Sequence, residues 1–236
     1  MRMRCMGSVC ALTAALAAPA AAGVGRDNFS GQLTLTTDYV FRGVSHSREK
    51  PALQGSLYFR HDSGFFAGIW GSNVEFPLGS DSSESEELEV DLYLGIDREL
   101  GPDWSGSATL MRYEYTRPSG GFDFSYSEAI LGLRYREQLT AFMAYTEGVY
   151  GSDEPRFTVE LSALYPAPFD LDLSLGLGYA HVDGRFWPSH GFWKLGVSRV
   201  LARVTVSLGY FGAGTAARRI WGESADDRLV LSLTLK

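Results

Sequence analysis

The sequence predicts an all-β protein, a transmembrane antiparallel up-and-down β-barrel of twelve strands that follows a cleavable signal peptide. Three observations predict this fold class. Apolar and polar residues alternate with a period of two, as in strands with one apolar and one polar face. Long connections alternate with short ones between the predicted strands. No segment after the leader approaches the 18 or more consecutive apolar residues that indicate a membrane-spanning helix.

Residues 1–22 have the features of a secretion signal. Two arginines precede an apolar stretch, and Ala20, Ala21 and Ala22 form a small-residue pattern that suits signal peptidase. Cys10 lies before most of the apolar stretch, so a lipid-modified N-terminus is not expected. We therefore predict that residues 23–236 form one outer-membrane barrel domain, because this length suits a single domain.

The composition restricts the function and the location. The formal net charge is −7, and loss of the leader arginines makes the mature chain more negative, so we expect no nucleic-acid partner. Both cysteines, Cys5 and Cys10, lie in the leader. An exported chain without disulfides is stabilised by its core or by complete strand pairing. This pattern favours an envelope protein of a Gram-negative bacterium.

Twelve segments alternate in the manner of strands. The alternation is clear in six: QLTLTTDYVFR, ELEVDLYLGID, RFTVELSALY, FDLDLSLGLGY, RVTVSLGY and RLVLSLTLK. It is weaker in six others: PALQGSLYFR, GFFAGIWGS, DWSGSATLMRYEYT, FDFSYSEAILGLRYR, QLTAFMAYTEGVY and GFWKLGVSRV. Within FDFSYSEAILGLRYR the apolar parity changes between Tyr126 and Ala129, which predicts a β-bulge or the point where the strand leaves the membrane.

The connections favour a membrane barrel over a soluble one. Longer gaps such as VSHSREK and VDGRFWPSH alternate with short gaps such as HDS and PAP, as outer loops alternate with periplasmic turns. A soluble sandwich or lipocalin-like barrel is the alternative, since its strands also alternate. That alternative needs an equal apolar layer opposite the leucine-rich faces, whereas lipid can cover them directly.

Aromatic residues near the predicted strand ends are expected to form the girdles of a membrane barrel. Tyr113, Tyr115, Tyr165 and Tyr179 are among them.

Two charges, Asp38 and Arg42, interrupt the first predicted strand. Alternation places them toward the lumen and places Tyr39 and Phe41 toward lipid, because an arginine at the bilayer midplane costs about 2–4 kcal/mol. We predict that the lumen lining includes Asp38, Arg42, Gln54, Arg60, Glu89, Asp91 and Glu160. These side chains either brace the wall in mixed-sign pairs, which we favour slightly, or form a charged constriction that selects solutes.

The stretch DYVFRGVSHS, followed by PALQGSLYFRHDSGFFAGIWGSN and by EVD, resembles the TorF-type porin family of proteobacteria. The resemblance is dense over residues 38–91 and diffuse beyond them. The matching residues are Tyr39, Gly43, Pro51, Gln54, Gly55, Trp70, Gly71, Ser72 and Asn73. The resemblance implies an outer-membrane location and a barrel more strongly than it implies a particular solute.

We expect a passive channel for small hydrophilic solutes. Eight strands leave an interior filled by side chains and sixteen leave a water-filled channel, so twelve predict a narrow lumen. The expected partners are outer-membrane lipid, these solutes and the barrel assembly machinery, although Lys236 stands where many such barrels end in an aromatic residue. The alternatives are a structural or adhesion barrel that does not conduct, and an outer-membrane hydrolase.

The residues that a hydrolase would need are not arranged in a recognisable pattern. His46 lies between two serines and His190 follows Ser189, but adjacent side chains on an extended chain point apart. No G-x-S-x-G, H-E-x-x-H or phosphate-binding loop occurs. We therefore predict that the protein is not an enzyme and has no catalytic residue, metal site or cofactor.

The acidic run GSDSSESEELEVD at residues 79–91 starts in the second predicted outer loop, and its loop part is expected to be solvated. Clustered carboxylates could instead bind a divalent cation, although the D-x-D-x-D-G spacing of a calcium loop is absent.

Overall fold

The computed structural model describes residues 28–75, 88–116 and 123–236. The predicted signal peptide and most of the acidic run, residues 79–87, lie outside these ranges. Twelve long strands pair with their chain neighbours, and the first strand closes on the last in an antiparallel register. The predicted fold class, a closed antiparallel barrel of twelve strands, is confirmed. Among the described residues, no helix has the length and apolar character needed to cross a membrane.

The strands of the barrel are numbered in chain order. They are β1 (Phe29–Thr36), β2 (Ala52–Arg60), β3 (Phe65–Asn73), β4 (Leu88–Glu99), β5 (Trp104–Thr116), β6 (Tyr126–Tyr135), β7 (Leu139–Thr146), β8 (Arg156–Ala167), β9 (Leu171–Val182), β10 (His190–Leu201), β11 (Val204–Ala213) and β12 (Arg228–Leu235). The other elements are a hairpin of two-residue strands (Val40–Phe41 and Val44–Ser45), 3₁₀ turns at Pro168–Asp170 and Gly222–Ala225, and helix α1 (Thr215–Trp221).

Alternation along the strands separates an apolar exterior from a polar interior. On β1, Leu33 and Leu35 point outward and are 55% and 53% exposed, while Gln32 and Thr34 point inward. The last strand repeats the pattern, with Leu231 and its alternate neighbours on the outside. Strand pairing closes the ring of described strands, and exposed large apolar side chains on all twelve strands form an apolar band around the outside.

The first strand ends earlier than the alternation predicts. It stops at Thr36, and the following residues turn into the barrel instead of continuing along its wall. Tyr39 and Phe41 are only 5% and 8% exposed and lie in the interior core. The prediction that these two rings face lipid is therefore wrong, because the segment that carries them is not part of the wall.

Strand β6 is regular, so the predicted bulge is wrong. Its pairing with β5 runs without interruption from Trp104 opposite Tyr135 to Tyr113 opposite Tyr126. Ile130 points inward with the neighbouring inward residues and is buried. The apparent change of parity arises because this part of the interior is itself apolar.

The aromatic residues divide between interior and exterior. Tyr165 and Tyr179 are exposed near strand ends, as a girdle requires. Tyr113 and Tyr115 are buried inside the barrel, so their predicted place in a girdle is wrong. Their hydroxyl groups bind interior carboxylates, which a lipid-facing position would not supply.

The apolar exterior makes a prediction about stability in lipid. Leu175, near the middle of β9, points outward, and Ser174 beside it points inward. In lipid vesicles Leu175→Arg should destabilise the barrel by about 2–4 kcal/mol, because the charge enters hydrocarbon. Ser174→Arg, whose charge enters the polar interior, should cost clearly less. Equilibrium denaturant unfolding measures both variants, and equal losses would contradict the assignment of the two faces.

Candidate functional site

The connection between β1 and β2 enters the barrel interior, and we call its residues 38–47 the inward hairpin. Its short strands pair through Val40 with Ser45 and Phe41 with Val44. Gly43, at φ +80°, lies in the turn. A Cβ atom at Gly43 would lie 2.6 Å from the carbonyl oxygen of Gly212 on β11, so the position requires glycine. The hairpin tip therefore packs tightly against β11, two strands from β1 around the ring.

Asp38 fixes the base of the inward hairpin. Its Oδ1 accepts hydrogen bonds from the hydroxyls of Ser45 at 2.6 Å and Ser47 at 2.8 Å. Its Oδ2 lies 2.9 Å from Nη1 of Arg228, the first residue of β12. The carboxylate thus joins both arms of the hairpin to the strand that closes the barrel.

Glu128 fixes the tip of the hairpin from the opposite wall. Arg42 binds it in a bidentate pair, with Nη1 to Oε1 at 3.0 Å and Nη2 to Oε2 at 2.8 Å. Arg156 of β8 donates to Oε1 at 3.3 Å, and the hydroxyl of Tyr113 donates to Oε2 at 3.2 Å. Glu128 is completely buried. Two guanidinium groups therefore compensate one desolvated carboxylate, and such bidentate pairs are strong and directional.

Two further acids of the interior lie side by side on β4. Glu89 Oε1 accepts from the hydroxyl of Tyr115 at 3.1 Å and from that of Tyr39 at 3.4 Å, and its Oε2 is 3.5 Å from Nδ1 of His46. Asp91 is also buried, and its Oδ1 has no hydrogen-bond partner in the described part of the chain. Both acids border the inward hairpin.

Aromatic rings pack together near the end of the barrel where the long connections lie, which we call the long-loop end. Trp187 stacks on Trp221 of helix α1 at 4.8 Å with an interplanar angle of 13°. Tyr150 meets both rings edge-on, at 5.4 Å and 5.9 Å between centroids. The inward hairpin and this aromatic cluster together occupy the long-loop end of the interior.

Glu154 holds the loop that carries Trp187. Its carboxylate accepts hydrogen bonds from the backbone N–H groups of Phe186 at 2.8 Å, Trp187 at 3.0 Å and Arg185. Burial opposes ionisation of this carboxylate, but the three donors more than compensate, so the pKa of Glu154 lies below its usual value.

The remaining predicted lining residues form separate pairs. Arg60 Nη1 lies 2.9 Å from Asp97 Oδ2, and Lys194 Nζ lies 2.7 Å from Glu160 Oε1. Gln54 donates to the hydroxyl of Ser72 at 3.4 Å. The structure thus places all seven predicted lining residues inside the barrel, but distributes them over several pairs and does not bring them together in one ring.

The residues of the family resemblance surround the base of the inward hairpin. The ring of Trp70 lies 5.3 Å from that of Tyr39. The side-chain amide of Asn73 donates to the carbonyl of Pro51 at 3.3 Å and accepts from the N–H of Leu53 at 2.7 Å. Gly55 and Gly71 are directly paired between β2 and β3, beside the Gln54–Ser72 pair. These residues position the strands against which the hairpin packs.

Sequence reasoning missed several interior residues, chiefly Glu128 and Arg156. Both follow the period-two pattern: Glu128 is in phase with Tyr126, and Arg156 is in phase with Thr158 and Glu160. The bulge assumed in β6 concealed Glu128. Trp187 and Tyr150 lie in connections, where no periodic signal exists.

The histidines that neighbour serines have other contacts. His46 faces Glu89, and Nε2 of His190 lies 3.1 Å from the carbonyl oxygen of Arg42. Ser189 lies 3.2 Å from Nδ1 of His181, but its hydroxyl is also bound to both backbone groups of Val182. Within the described ranges, no group of His, Cys, Asp and Glu could hold a metal ion.

Comparison with known proteins identifies the family. Residues 20–230 match a family described as a bacterial protein of unknown function, Gcw_chp. The chain belongs to this family. No curated protein matches the sequence.

Solved structures similar to this Gcw_chp member include two porins. The KdgM porin is 6% identical, with a TM-score of 0.55, over 87% of this chain and 98% of that one. The NanC porin is 9% identical, with a TM-score of 0.55, over 88% and 100%. At these identities the similarity establishes that the Gcw_chp chain shares their barrel fold.

The burial of Glu128 predicts a large effect of Glu128→Gln. The substitution leaves Arg42 and Arg156 without a full counter-charge in a desolvated site, so we expect a loss of about 3–5 kcal/mol in the free energy of unfolding. Glu114→Gln is the matched control: its 2.7 Å pair with Arg112 is 46% and 40% exposed, so we expect about 0–1 kcal/mol. Equal losses in denaturant unfolding would show that Glu128 does not organise the interior.

The depressed pKa of Glu154 predicts a pH-dependent loop contact. Because the folded-state pKa is the lower one, the contact stabilises the fold fully above the ordinary pKa of a glutamate and is lost as the pH falls through the lower, folded-state pKa. The emission of Trp187, obtained as the difference between the wild-type and Trp187→Phe spectra, should change as the pH falls through this transition. In Glu154→Gln, which cannot titrate there, the difference should stay constant with pH; an acid transition in this variant would assign the effect to another group.

Proposed function

We propose that the protein is an outer-membrane porin through which small hydrophilic solutes diffuse passively, and that its family corresponds to the TorF-type porins. The observation that carries the proposal is the closed twelve-stranded barrel with leucine outside and charged or hydroxyl side chains inside. Lipid would cover the apolar band, and water and solutes would occupy the interior. In this proposal residues 1–22 are removed on export and the barrel assembly machinery inserts the remainder.

The inward hairpin would act as the constriction. It places Asp38 and Arg42 inside the barrel, and both charges are held by partners on the wall. The hairpin limits the free cross-section of the lumen, and a narrow polar constriction of this kind selects solutes by size and charge. This arrangement supports a narrow channel in which ion pairs brace the hairpin that forms the constriction.

A second candidate function is a barrel that does not conduct. The buried bidentate pair of Arg42 and Glu128, together with the stacked Trp187 and Trp221, favours it, because these groups fill the interior near the long-loop end. Such a barrel would serve a structural or adhesive role in the membrane.

Planar-bilayer recording of the refolded protein separates the two candidates. A porin should give discrete conductance steps in preparations whose gel migration changes on heating, which shows that the barrel is folded. Replacing residues 39–46 by a glycine-serine linker of equal length should enlarge the steps. Steps from the linker variant alone would establish that the natural barrel is sealed, and steps from neither protein would reject the channel.

Removal of the constriction charge should alter ion selectivity. Arg42→Ala deletes a buried positive charge from the interior, so the reversal potential in a salt gradient should shift toward cation selectivity. Arg48→Ala is the control, because Arg48 is partly exposed and paired with Glu75 at the rim. A larger shift from Arg48→Ala would place the selective region outside the hairpin.

A further inference from the structure

We infer that the interior holds a binding site for small organic anions near the short turns, where Arg60 and Arg134 take the carboxylates of the ligand. We call this end of the barrel the short-turn end. The site itself does not depend on conduction. The further statement that such anions are solutes of the channel rests on the proposed porin function.

The inward side chains become more accessible toward the short-turn end. Near the long-loop end, Tyr113 of β5 and Thr158 of β8 are completely buried. Ser107 and Ser162 point inward on the same two strands, closer to the short turns, and are only partly buried. The interior is therefore packed at the long-loop end and reachable by water at the short-turn end.

Arg60 of β2 and Arg134 of β6 share one carboxylate in this accessible region. Nη1 of Arg60 lies 2.9 Å from Oδ2 of Asp97, and Nη2 of Arg134 lies 3.7 Å from the same oxygen. The side chain of Asp97 is 5% exposed, whereas those of Arg60 and Arg134 are 14% and 18% exposed. The three groups together carry one surplus positive charge, and the two guanidinium groups that carry it can be reached from the interior.

A second cluster has the same composition but is closed to solutes. Glu128 is also shared by two guanidinium groups, yet the side chains of Arg42 and Arg156 are each only 5% exposed. That cluster lies under the inward hairpin and serves to fix it. Of the two clusters, only the one at the short-turn end offers its surplus charge to a ligand.

The donors at the short-turn end fit a carboxylate. A guanidinium group has five N–H donors and binds carboxylates in bidentate pairs. Nε of Arg134 donates to the hydroxyl of Ser105 at 3.1 Å, which fixes the direction of the guanidinium plane and leaves its other donors to Asp97 and a ligand. A neutral solute would leave the surplus charge uncompensated, so we expect the site to prefer an anion.

Two neighbours of the cluster affect the site. The hydroxyl of Tyr58, on the same face of β2 as Arg60, is buried and has no hydrogen-bond partner in the described part of the chain. It can donate to a bound carboxylate. Glu99, at the end of β4, has the opposite effect, but it is exposed, so water and salt screen its charge.

Calorimetric titration of the folded barrel in a neutral detergent tests the site with succinate, which has one carboxylate for each guanidinium group. Succinate should bind, and succinamide, its neutral diamide, should not. Arg134→Gln should weaken succinate binding about tenfold, because a charge-assisted contact is lost. Arg136→Gln is the matched control and should bind like wild type, since Arg136 is 56% exposed and pairs with Asp103 in a turn.

A gain of binding distinguishes a ligand site from a cluster that only braces the wall. Asp97→Asn removes the carboxylate that competes with the ligand, so succinate should bind this variant more tightly than wild type. Succinate should also raise its denaturant midpoint. Gel migration that changes on heating shows which preparations are folded. Equal binding by wild type and Arg134→Gln, or no succinate binding by folded wild type and Asp97→Asn, would overturn the site.

Bilayer recording of the same preparations separates the site from the channel. Conductance steps without succinate binding would overturn the site and leave the porin function intact. Succinate binding without conductance would retain the site and reject small anions as solutes of a channel. A folded barrel that neither binds succinate nor conducts would overturn both proposals.

Discussion

Glu128 makes one interaction on which the organisation of the interior depends. Its carboxylate is fully removed from water, which is costly unless charge and hydrogen bonds compensate. Arg42 and Arg156 supply that compensation from the inward hairpin and from β8. The hairpin is consequently attached across the lumen, and its other contacts, those of Asp38 at the base and of Tyr39 with Glu89, can form around a fixed tip.

The inward hairpin also fills part of the barrel interior. Side chains fill the interior of an eight-stranded barrel, but twelve strands enclose more space than side chains alone can occupy. Between β3 and β7 large aromatic and apolar residues fill the difference, and at the long-loop end the hairpin and the Trp187–Trp221 stack do so. On β9 and β11 the inward residues are smaller, among them Ser174, Gly176 and Ser207.

The sequence predicted the strands of the barrel wall better than the packing of the barrel interior. Period-two alternation is a local property, so it revealed the twelve strands, their closure and the inward direction of Glu89 or Arg60. Alternation continues through Thr37 to Arg42 although the chain leaves the wall after Thr36, and it therefore assigned Tyr39 and Phe41 to the wrong side. The partners of Asp38 and Arg42 lie 190 and 86 residues away, and no periodic pattern indicates such distant contacts.

That separation along the chain has a consequence for assembly. The inward hairpin is made early in the chain, but Glu128, Gly212 and Arg228, which hold it, come much later. Contacts between distant segments form only after the loop between them has been closed, at a cost in entropy. The hairpin therefore gains its stability late, when most strands are already paired. The contacts of the inward hairpin and the seam between β1 and β12 would be completed together. The interior would therefore become fully packed only when the barrel closes.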